Sequence, residues 1–215
     1  MTLKITNPKI PSELDSIDLK EKLQYEQHFN MCIIRDCEIN GETIEKLCFE
    51  NVVFKNVTFY DVSFRFLELT DVMFEKCDLS NVDFSDAIVH RVHMKDCKMV
   101  GMNLAGSALR NISLDGCIGN MAAFGYSDCK NVQFRNSSLC NSDFFESKFK
   151  NVVFEQCDIN GANLSGTVLK GIDLSSCTFE KLVVSIENLE GCIITSDQAV
   201  GFAKALGLVT NDETF

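Results

Sequence analysis

The chain has 215 residues, a formal net charge of −11 and an apolar fraction of 46%. This apolar content is enough to fill a core and excludes a disordered chain, while the negative charge excludes non-specific binding to nucleic acid, because phosphate repels it. No apolar stretch has the length of a signal peptide or a membrane span. The 11 cysteines include no Cys-x-x-Cys motif, which favours free thiols and a cytoplasmic protein.

We expect residues 1–29 to form an N-terminal cap, because the first turn of an open repeat array exposes an unpaired edge. Two interpretations of this segment stay open. Ser12 and Asp15 have the spacing of a helix start, whereas Ile17, Asp18 and Leu19 resemble one degenerate copy of the repeat that follows.

Residues 30–194 carry a large apolar residue at every fifth position, in one unbroken frame from Ile34 to Ile194. Of the 33 frame positions, 31 are Phe, Leu, Ile, Met or Val, and the exceptions are Gly119 and Cys129. A helix has a period of about 3.6 and a flat strand one of about 2, so the frame predicts a repeat architecture. A smaller apolar residue lies two positions before most frame residues. Each five-residue unit therefore points two side chains inward and then turns.

The position two residues after each frame residue has the chemistry of a corner. Gly, Asn and Asp predominate there, and these residues tolerate the left-handed conformation that a sharp corner needs. They include Gly41, Asn51, Asn56, Asp61, Asp71, Asn81, Gly101, Gly106, Asn111, Gly116, Asn131, Asn136, Asn141, Asn151, Gly161, Gly166 and Gly171.

A superperiod of 20 residues predicts how many corners close one coil. Inward cysteines recur at multiples of 20 and form a structural core column. Four five-residue sides per coil follow, and about eight coils stacked at roughly 4.8 Å give an all-β solenoid, a right-handed quadrilateral β-helix about 40 Å long. The column consists of Cys37, Cys77, Cys97, Cys117, Cys157 and Cys177.

We expect residues 195–215 to form a C-terminal capping and dimerisation segment. Thr195 and Gln198 resemble a capping box, and apolar residues at helical spacing predict a short α-helix over 196–206. Phe202, Leu206 and Leu208 are the candidate interface of a homodimer.

The sequence offers little that predicts catalysis or metal binding. Stacked cysteines would keep their Cβ atoms about 4.8 Å apart, beyond the usual disulfide range of about 3.5–4.5 Å, so we interpret them as compact apolar filler. His90 and His93 have only Asp96 nearby, whereas zinc needs about three or four ligands. No nucleophile, phosphate-binding or dinucleotide motif occurs. We expect no enzyme, no cofactor, no metal site and no small-molecule substrate.

Outward positions supply the candidate partner-binding residues. The acidic candidates also occupy a repeat position at which Asp or Asn closes a turn by hydrogen bonding, and two bands of basic residues interrupt the negative surface. Gly119 and Cys129 leave one coil short of core volume. Either neighbouring methionines fill the gap, or the coil has a bend or a partner-binding depression there. The acidic candidates are Asp78, Asp83, Asp143, Asp158 and Asp173, and the apolar ones are Phe66, Met121, Tyr126 and Phe145. The basic bands are Arg91, Lys95, Lys98 and Arg110, then Lys130, Arg135, Lys148 and Lys150.

Four units carry a family resemblance. Residues 162–166 (Ala-Asn-Leu-Ser-Gly), 77–81 (Cys-Asp-Leu-Ser-Asn), 157–161 (Cys-Asp-Ile-Asn-Gly) and 172–176 (Ile-Asp-Leu-Ser-Ser) resemble the pentapeptide-repeat signature, roughly Ala-Asp/Asn-Leu-x-x. The resemblance covers about three quarters of the chain. It implies the right-handed quadrilateral β-helix that the period predicts independently.

The overall plan resembles the quinolone-resistance (Qnr-like) group of that family. A short N-terminal segment, about eight coils, a C-terminal helix and an acidic balance carry this likeness. It implies a homodimeric rod that resembles duplex DNA, binds DNA gyrase and topoisomerase IV, and protects them from quinolones without contacting nucleic acid directly. The alternative is a pentapeptide-repeat scaffold for another protein partner.

Overall fold

A computed structural model describes residues 5–23, 27–205 and 208 of the chain. Eight parallel strands form one sheet in chain order. No helix among these residues has the length and apolar character needed to cross a membrane. The strands are β1 (Asp15–Ser16), β2 (His28–Asn40), β3 (Cys48–Tyr60), β4 (Glu68–Glu75), β5 (Ile88–Lys95), β6 (Ala108–Asp115), β7 (Asp128–Arg135) and β8 (Lys148–Glu155); the helices are α1 (Leu19–Lys22), a 3₁₀ turn (Ile186–Asn188) and α2 (Ser196–Ala205).

The chain advances by one coil every 20 residues. From β2 onward, each strand pairs with the residues 20 positions ahead, as Val52 pairs with Val72. The sheet spans about seven turns, and isolated bridges continue the same step as far as the pair Asp173 and Ile193. The predicted four-sided solenoid with a short C-terminal helix is confirmed.

Each coil has four faces, and each face contains one frame residue. We number the faces so that Phe49 lies on face 1, Phe54 on face 2, Phe59 on face 3 and Phe64 on face 4. A residue 20 positions later lies on the same face of the next coil. Every fifth residue from Met31 to residue 171 has a positive φ, between 49° and 78°. These residues are the predicted corners, and Gly, Asn and Asp are common there because this conformation costs other L-residues about 1–2 kcal/mol.

The core lies on the axis of the coil and is filled by the frame residues. Phenylalanines 20 positions apart stack face to face, with ring centroids 4.7 Å apart for Phe54 and Phe74 and 4.9 Å for Phe134 and Phe154. Phenylalanines on neighbouring faces meet edge to face. Such pairs add about 0.5–1.5 kcal/mol each to the burial of the rings.

The N-terminal residues have two roles in the fold. Helix α1 begins at Leu19 and not after Ser12, because Asp18 caps it by accepting a hydrogen bond from the Lys20 N–H at 2.9 Å. Strand β1 pairs with β2, and the buried Leu19 covers the first coil. Thr6 and Lys9 lie along the side of the rod, where the Thr6 N–H donates to Asn111 and the Lys9 N–H donates to Asp71 at 2.9 Å.

Helix α2 lies on the C-terminal coil. The predicted capping box is confirmed: the Gln198 N–H donates to the Thr195 hydroxyl at 3.2 Å, and the Thr195 N–H donates to Gln198 Oε1 at 2.9 Å. The Gln198 amide also donates to the carbonyls of Leu174 and Cys177. One side chain therefore joins the helix to the coil edge and pairs carbonyls that an open end would expose.

Candidate interaction surfaces

The five predicted acidic residues close turns within their own units. Each carboxylate accepts a hydrogen bond from the backbone N–H two residues later, at 2.9–3.0 Å. The Ser175 side chain and N–H together hold the pKa of Asp173 below its usual range. The residues do not share one surface: Asp78 and Asp158 lie on face 3, Asp83 and Asp143 on face 4, and Asp173 on face 2.

Three of the four predicted apolar residues lie together on face 4, and we call Met121, Tyr126 and Phe145 the face-4 patch. Met121 and Tyr126 occupy the two corners that border this face in one coil, and their residues are 59% and 62% exposed. Phe145 lies on the next coil and is half-buried, because the Tyr126 ring packs edge-on against it with centroids 5.5 Å apart. Phe66 lies on the same corner as Tyr126, three coils earlier, with the Arg65 guanidinium above its ring.

The cysteine column is a packing feature. Five of its six members are buried and Cys37 is half-buried, and none of the six forms a disulfide. The Cys97 thiol lies 3.5 Å from the Phe74 carbonyl of the preceding coil, which is hydrogen-bonding distance for sulfur. Burial raises the pKa of Cys157 to about 11. A buried, protonated thiol packs as a compact apolar group.

Gly119 leaves no void in the core. A Cβ at this position would lie 3.1 Å from Leu139 and 3.4 Å from Met99, so side chains of the adjacent coils already occupy that space. Cys129 is fully buried, and its sulfur lies 3.2 Å from the Ser127 hydroxyl. The two exceptions in the frame are therefore compensated locally and do not form a depression.

The paired histidines belong to different environments. His93 lies on face 2 with a buried Nε2 that has no hydrogen-bond partner among the described residues, and burial lowers its pKa. His90 lies on face 1 beside Arg91, whose guanidinium forms a bidentate pair with the buried carboxylate of Asp71 at 2.5 and 2.6 Å. Within the described part of the chain, no three His, Cys, Asp or Glu residues are grouped so that they could hold a metal ion.

The fold redistributes the predicted basic bands. Lys95 and Arg135 lie on face 2, and Arg135 forms an ion pair with Glu155. Lys98 lies on face 3 and forms an ion pair with Asp78. A row of cations remains on face 1, one per coil, and the sequence analysis missed it because its members are 20 residues apart. This face-1 row consists of Arg110, Lys130, Lys150 and Lys170.

The proposed dimer residues differ in their surroundings. Phe202 packs against Phe179 of its own coil, with ring centroids 5.7 Å apart. Leu208 is 60% exposed, and Leu206 lies outside the described residues. The assignment of these residues to a dimer interface stays a prediction.

Sequence comparisons agree with this architecture. Residues 67–144 match a family described as a pentapeptide repeat region, and residues 127–166 match one described as pentapeptide repeats (8 copies). The chain is 45% identical over 205 residues to the uncharacterized protein YisX of Bacillus subtilis (strain 168), covering 95% of this chain and 97% of that protein. It is 40% identical over 65 residues to the pentapeptide repeat protein VPA0095 of Vibrio parahaemolyticus, covering 28% of this chain and 27% of that protein.

Similar solved structures include a trypsin-treated form of QnrB1, a plasmid-mediated fluoroquinolone resistance protein. Its TM-score is 0.38 at 18% identity, covering 86% of this chain and 98% of that chain. HetL, a pentapeptide repeat protein involved in heterocyst differentiation regulation in Nostoc sp. strain PCC 7120, has a TM-score of 0.32 at 13% identity, covering 82% and 91%. A likeness at this level does not extend to function. Because the matched repeats coincide with the coil whose corners recur every five residues, this chain belongs to the pentapeptide-repeat family.

Proposed function

We propose that the chain is a non-enzymatic, cytoplasmic protein-binding rod whose partner is a type II topoisomerase, DNA gyrase or topoisomerase IV, and that this contact relieves inhibition by quinolones. The observation that carries the proposal is an uninterrupted coil with a filled core and a net charge of −11. Such a molecule acts through its outer surface. The plan of cap, about eight coils and C-terminal helix is the plan that the Qnr-like resemblance rests on.

The charge of the coil limits how closely it imitates duplex DNA. Residues 30–194 hold 23 acidic and 15 basic side chains, a net charge of −8. A duplex of the same length, about 40 Å, carries roughly 23 negative charges at about one per 1.7 Å. The coil therefore has about a third of the charge of a duplex, so we assign specificity to side-chain contacts, with the face-4 patch as the centre of the contact surface.

A DNA supercoiling assay with gyrase and a fluoroquinolone tests both parts of this proposal. We expect micromolar protein to restore supercoiling, and we expect Tyr126→Ser to need about tenfold more protein. Tyr60→Ser is the matched control, because Tyr60 is 71% exposed on face 3, away from the patch. Failure to bind either topoisomerase or to restore activity would reject the topoisomerase as partner. Equal rescue by Tyr126→Ser would reject only the patch.

A second candidate function is a scaffold for a different protein. Two members of the face-1 row favour it: Lys130 and Lys150 form no ion pair with a described residue and would repel the positively charged surface with which a topoisomerase binds DNA. Binding that requires the face-4 patch but occurs with no topoisomerase would support this candidate.

We also propose that the rod is a homodimer joined at α2. Val200 and Leu208 are 36% and 60% exposed at this end of the molecule. Light scattering should give twice the mass of 24.1 kDa, and Leu208→Asp should reduce it to the monomer mass. A monomeric native protein would rule out this assembly.

A further inference from the structure

The coil has an open seam on two of its four faces, just after β8. The structure describes residues 148–155 and 168–175 in full, yet no backbone hydrogen bond joins the two segments. At the two preceding steps on face 1 such bonds exist: the Asp128 N–H donates to the Ser107 carbonyl at 2.9 Å and the Lys148 N–H to Ser127 at 2.8 Å. The corresponding N–H of Val168 makes no such bond. One edge of β8 therefore lacks a backbone partner among the described residues.

A change of backbone conformation accompanies the seam. Faces 1 and 2 are strands in the seven preceding coils, β2 to β8, but the next coil forms hydrogen-bonded turns at the same positions. The Ile172 N–H donates to the Leu169 carbonyl at 3.0 Å, and the Cys177 N–H donates to Leu174 at 2.9 Å. The ladder is therefore interrupted at the step where the backbone changes from strand to turn on both faces.

The free space beside two glycines, Gly166 and Gly171, shows where the seam opens. A Cβ added at Gly166 would lie 2.7 Å from Glu146 of the preceding coil, so the coils touch at that corner. A Cβ added at Gly171, one face further on, would meet no atom within 4 Å. The coils approach again where the Gln156 N–H donates to the Ser176 hydroxyl at 3.3 Å.

Two cavities lie along this seam. One of about 470 Å³ is lined by Lys148, Phe149 and Val168 on face 1, and one of about 360 Å³ by Val153, Glu155 and Asp173 among others on face 2. These volumes are in the range of ligand pockets. Apolar surface is accessible in the first, where Val168 is 60% exposed.

Three lysines and one carboxylate, Glu146, surround the face-1 opening, so its net charge is positive, whereas Glu155 and Asp173 make the face-2 cavity acidic. Lys130 and Lys150 are adjacent in register on neighbouring strands, and Lys148 lies beside them. All three are exposed, and none forms an ion pair with a described residue. Like charges directly opposite each other on a sheet are destabilising, so the row lowers stability unless an anion binds to it.

We propose that the open edge of β8 is the docking site of an extended acidic polypeptide segment of a partner protein. The segment would supply the backbone N–H and C=O groups that the next coil does not, and its carboxylates would face Lys130, Lys148 and Lys150. Strand addition at an unpaired edge gives affinity through main-chain hydrogen bonds and specificity through side chains. This site is separate from the face-4 patch and does not depend on the identity of the partner.

A polypeptide fits this edge better than the other possible occupants. Nucleic acid would match the lysines but offers no backbone N–H donors to the unpaired carbonyls of β8, and the net charge of −11 repels it. Water molecules alone would hydrogen-bond to the unpaired backbone groups of β8, but they would not neutralise the positive charge of the lysines.

Selection from phage-displayed random octapeptides, with this protein as the target, tests the proposal. We expect the enriched peptides to carry several Asp or Glu residues and to lack a central Pro, which would remove a ladder donor. Fluorescence anisotropy with synthetic copies of the enriched peptides, whose termini are chemically blocked, should show at least tenfold weaker binding to the Lys150→Glu and Val168→Glu variants. Lys95→Glu is the matched control, an exposed lysine on face 2 in an earlier coil, and should change binding less than twofold.

Amide hydrogen exchange locates the bound peptide. The bound peptide should slow exchange across residues 148–155 at least tenfold and leave face 3 unchanged. The proposal is overturned if no peptide is enriched, if the enriched peptides lack acidic residues, or if neither variant weakens binding. Tighter binding of a ten-residue oligothymidylate than of any selected peptide, or protein self-association that requires Lys150, would also overturn it. None of these measurements involves a topoisomerase, so they fail or succeed independently of the proposed function.

Discussion

A buried column of hydroxyl groups holds the coils together at the corner between faces 4 and 1, and Thr167→Val tests it. Thr167 is fully buried, accepts a hydrogen bond from the Ser147 N–H at 2.9 Å and donates one to the Phe144 carbonyl at 2.6 Å. Valine has nearly the same shape but offers neither bond. The substitution therefore removes two hydrogen bonds, but the Ser147 N–H still donates to the Phe144 carbonyl at 3.2 Å, so neither group is left unpaired.

The expected loss follows from these two groups. Each lost hydrogen bond costs about 0.5–1.5 kcal/mol net, and the added methyl group returns about 1 kcal/mol through burial. We expect Thr167→Val to lower the free energy of unfolding by about 1 kcal/mol, a noticeable part of the 5–15 kcal/mol typical of a domain. Urea unfolding followed by circular dichroism should show a midpoint about 0.3–1 M lower, because m is about 1–3 kcal/mol/M.

Two measurements make this prediction refutable. Thr178→Val changes an exposed threonine on face 3 and should alter stability by less than about 0.5 kcal/mol. Exchange of the Ser147 amide should accelerate in Thr167→Val, while exchange in β3 stays unchanged. No loss in Thr167→Val, or an equal loss in both variants, would mean that the hydroxyl column does not stabilise the coil.

Three further predictions concern other parts of the rod. Because burial raises the pKa of Cys157 to about 11, the folded protein keeps this proton after the unfolded chain has lost it. Stability should therefore fall as pH rises from about 9 to 11, and Cys157→Ala should flatten that part of the curve in thermal melts. Asp71→Ala removes the carboxylate that pairs with the half-buried Arg91 guanidinium and accepts from the Lys9 N–H, and it should cost about 1–3 kcal/mol, with faster proteolysis before residue 15; unchanged proteolysis would contradict the anchoring of this segment. Gln198→Ala should speed amide exchange in α2 at least tenfold, and unchanged exchange would show that the Leu174 contact does not anchor the helix.

The side-chain period predicted the coil because it reports which residues point inward. Five-residue spacing requires a turn in each unit, and the 20-residue column of cysteines sets the number of sides. The same reasoning could not predict the seam, because Leu169 and Leu174 continue the frame without a break while the backbone changes from strand to turn. The position of Lys9 against Asp71 was also beyond prediction, since it depends on a backbone N–H and leaves no pattern in the sequence.

Candidate surface residues were harder to predict than core residues, because an outward position does not establish a binding role. The five aspartates point outward, but their turn hydrogen bonds account for them without a partner. Met121 differs from them. In the other coils, the described residues that occupy this corner with a positive φ are all Gly, Asn or Asp. Met121 has a φ of 60° and a side chain that is mostly exposed. An L-residue in this conformation costs about 1–2 kcal/mol, and an exposed methionine recovers little of it by burial. Met121 is therefore our leading candidate for contact with a partner, and this is why we place the face-4 patch, rather than the acidic residues, at the centre of the proposed contact surface.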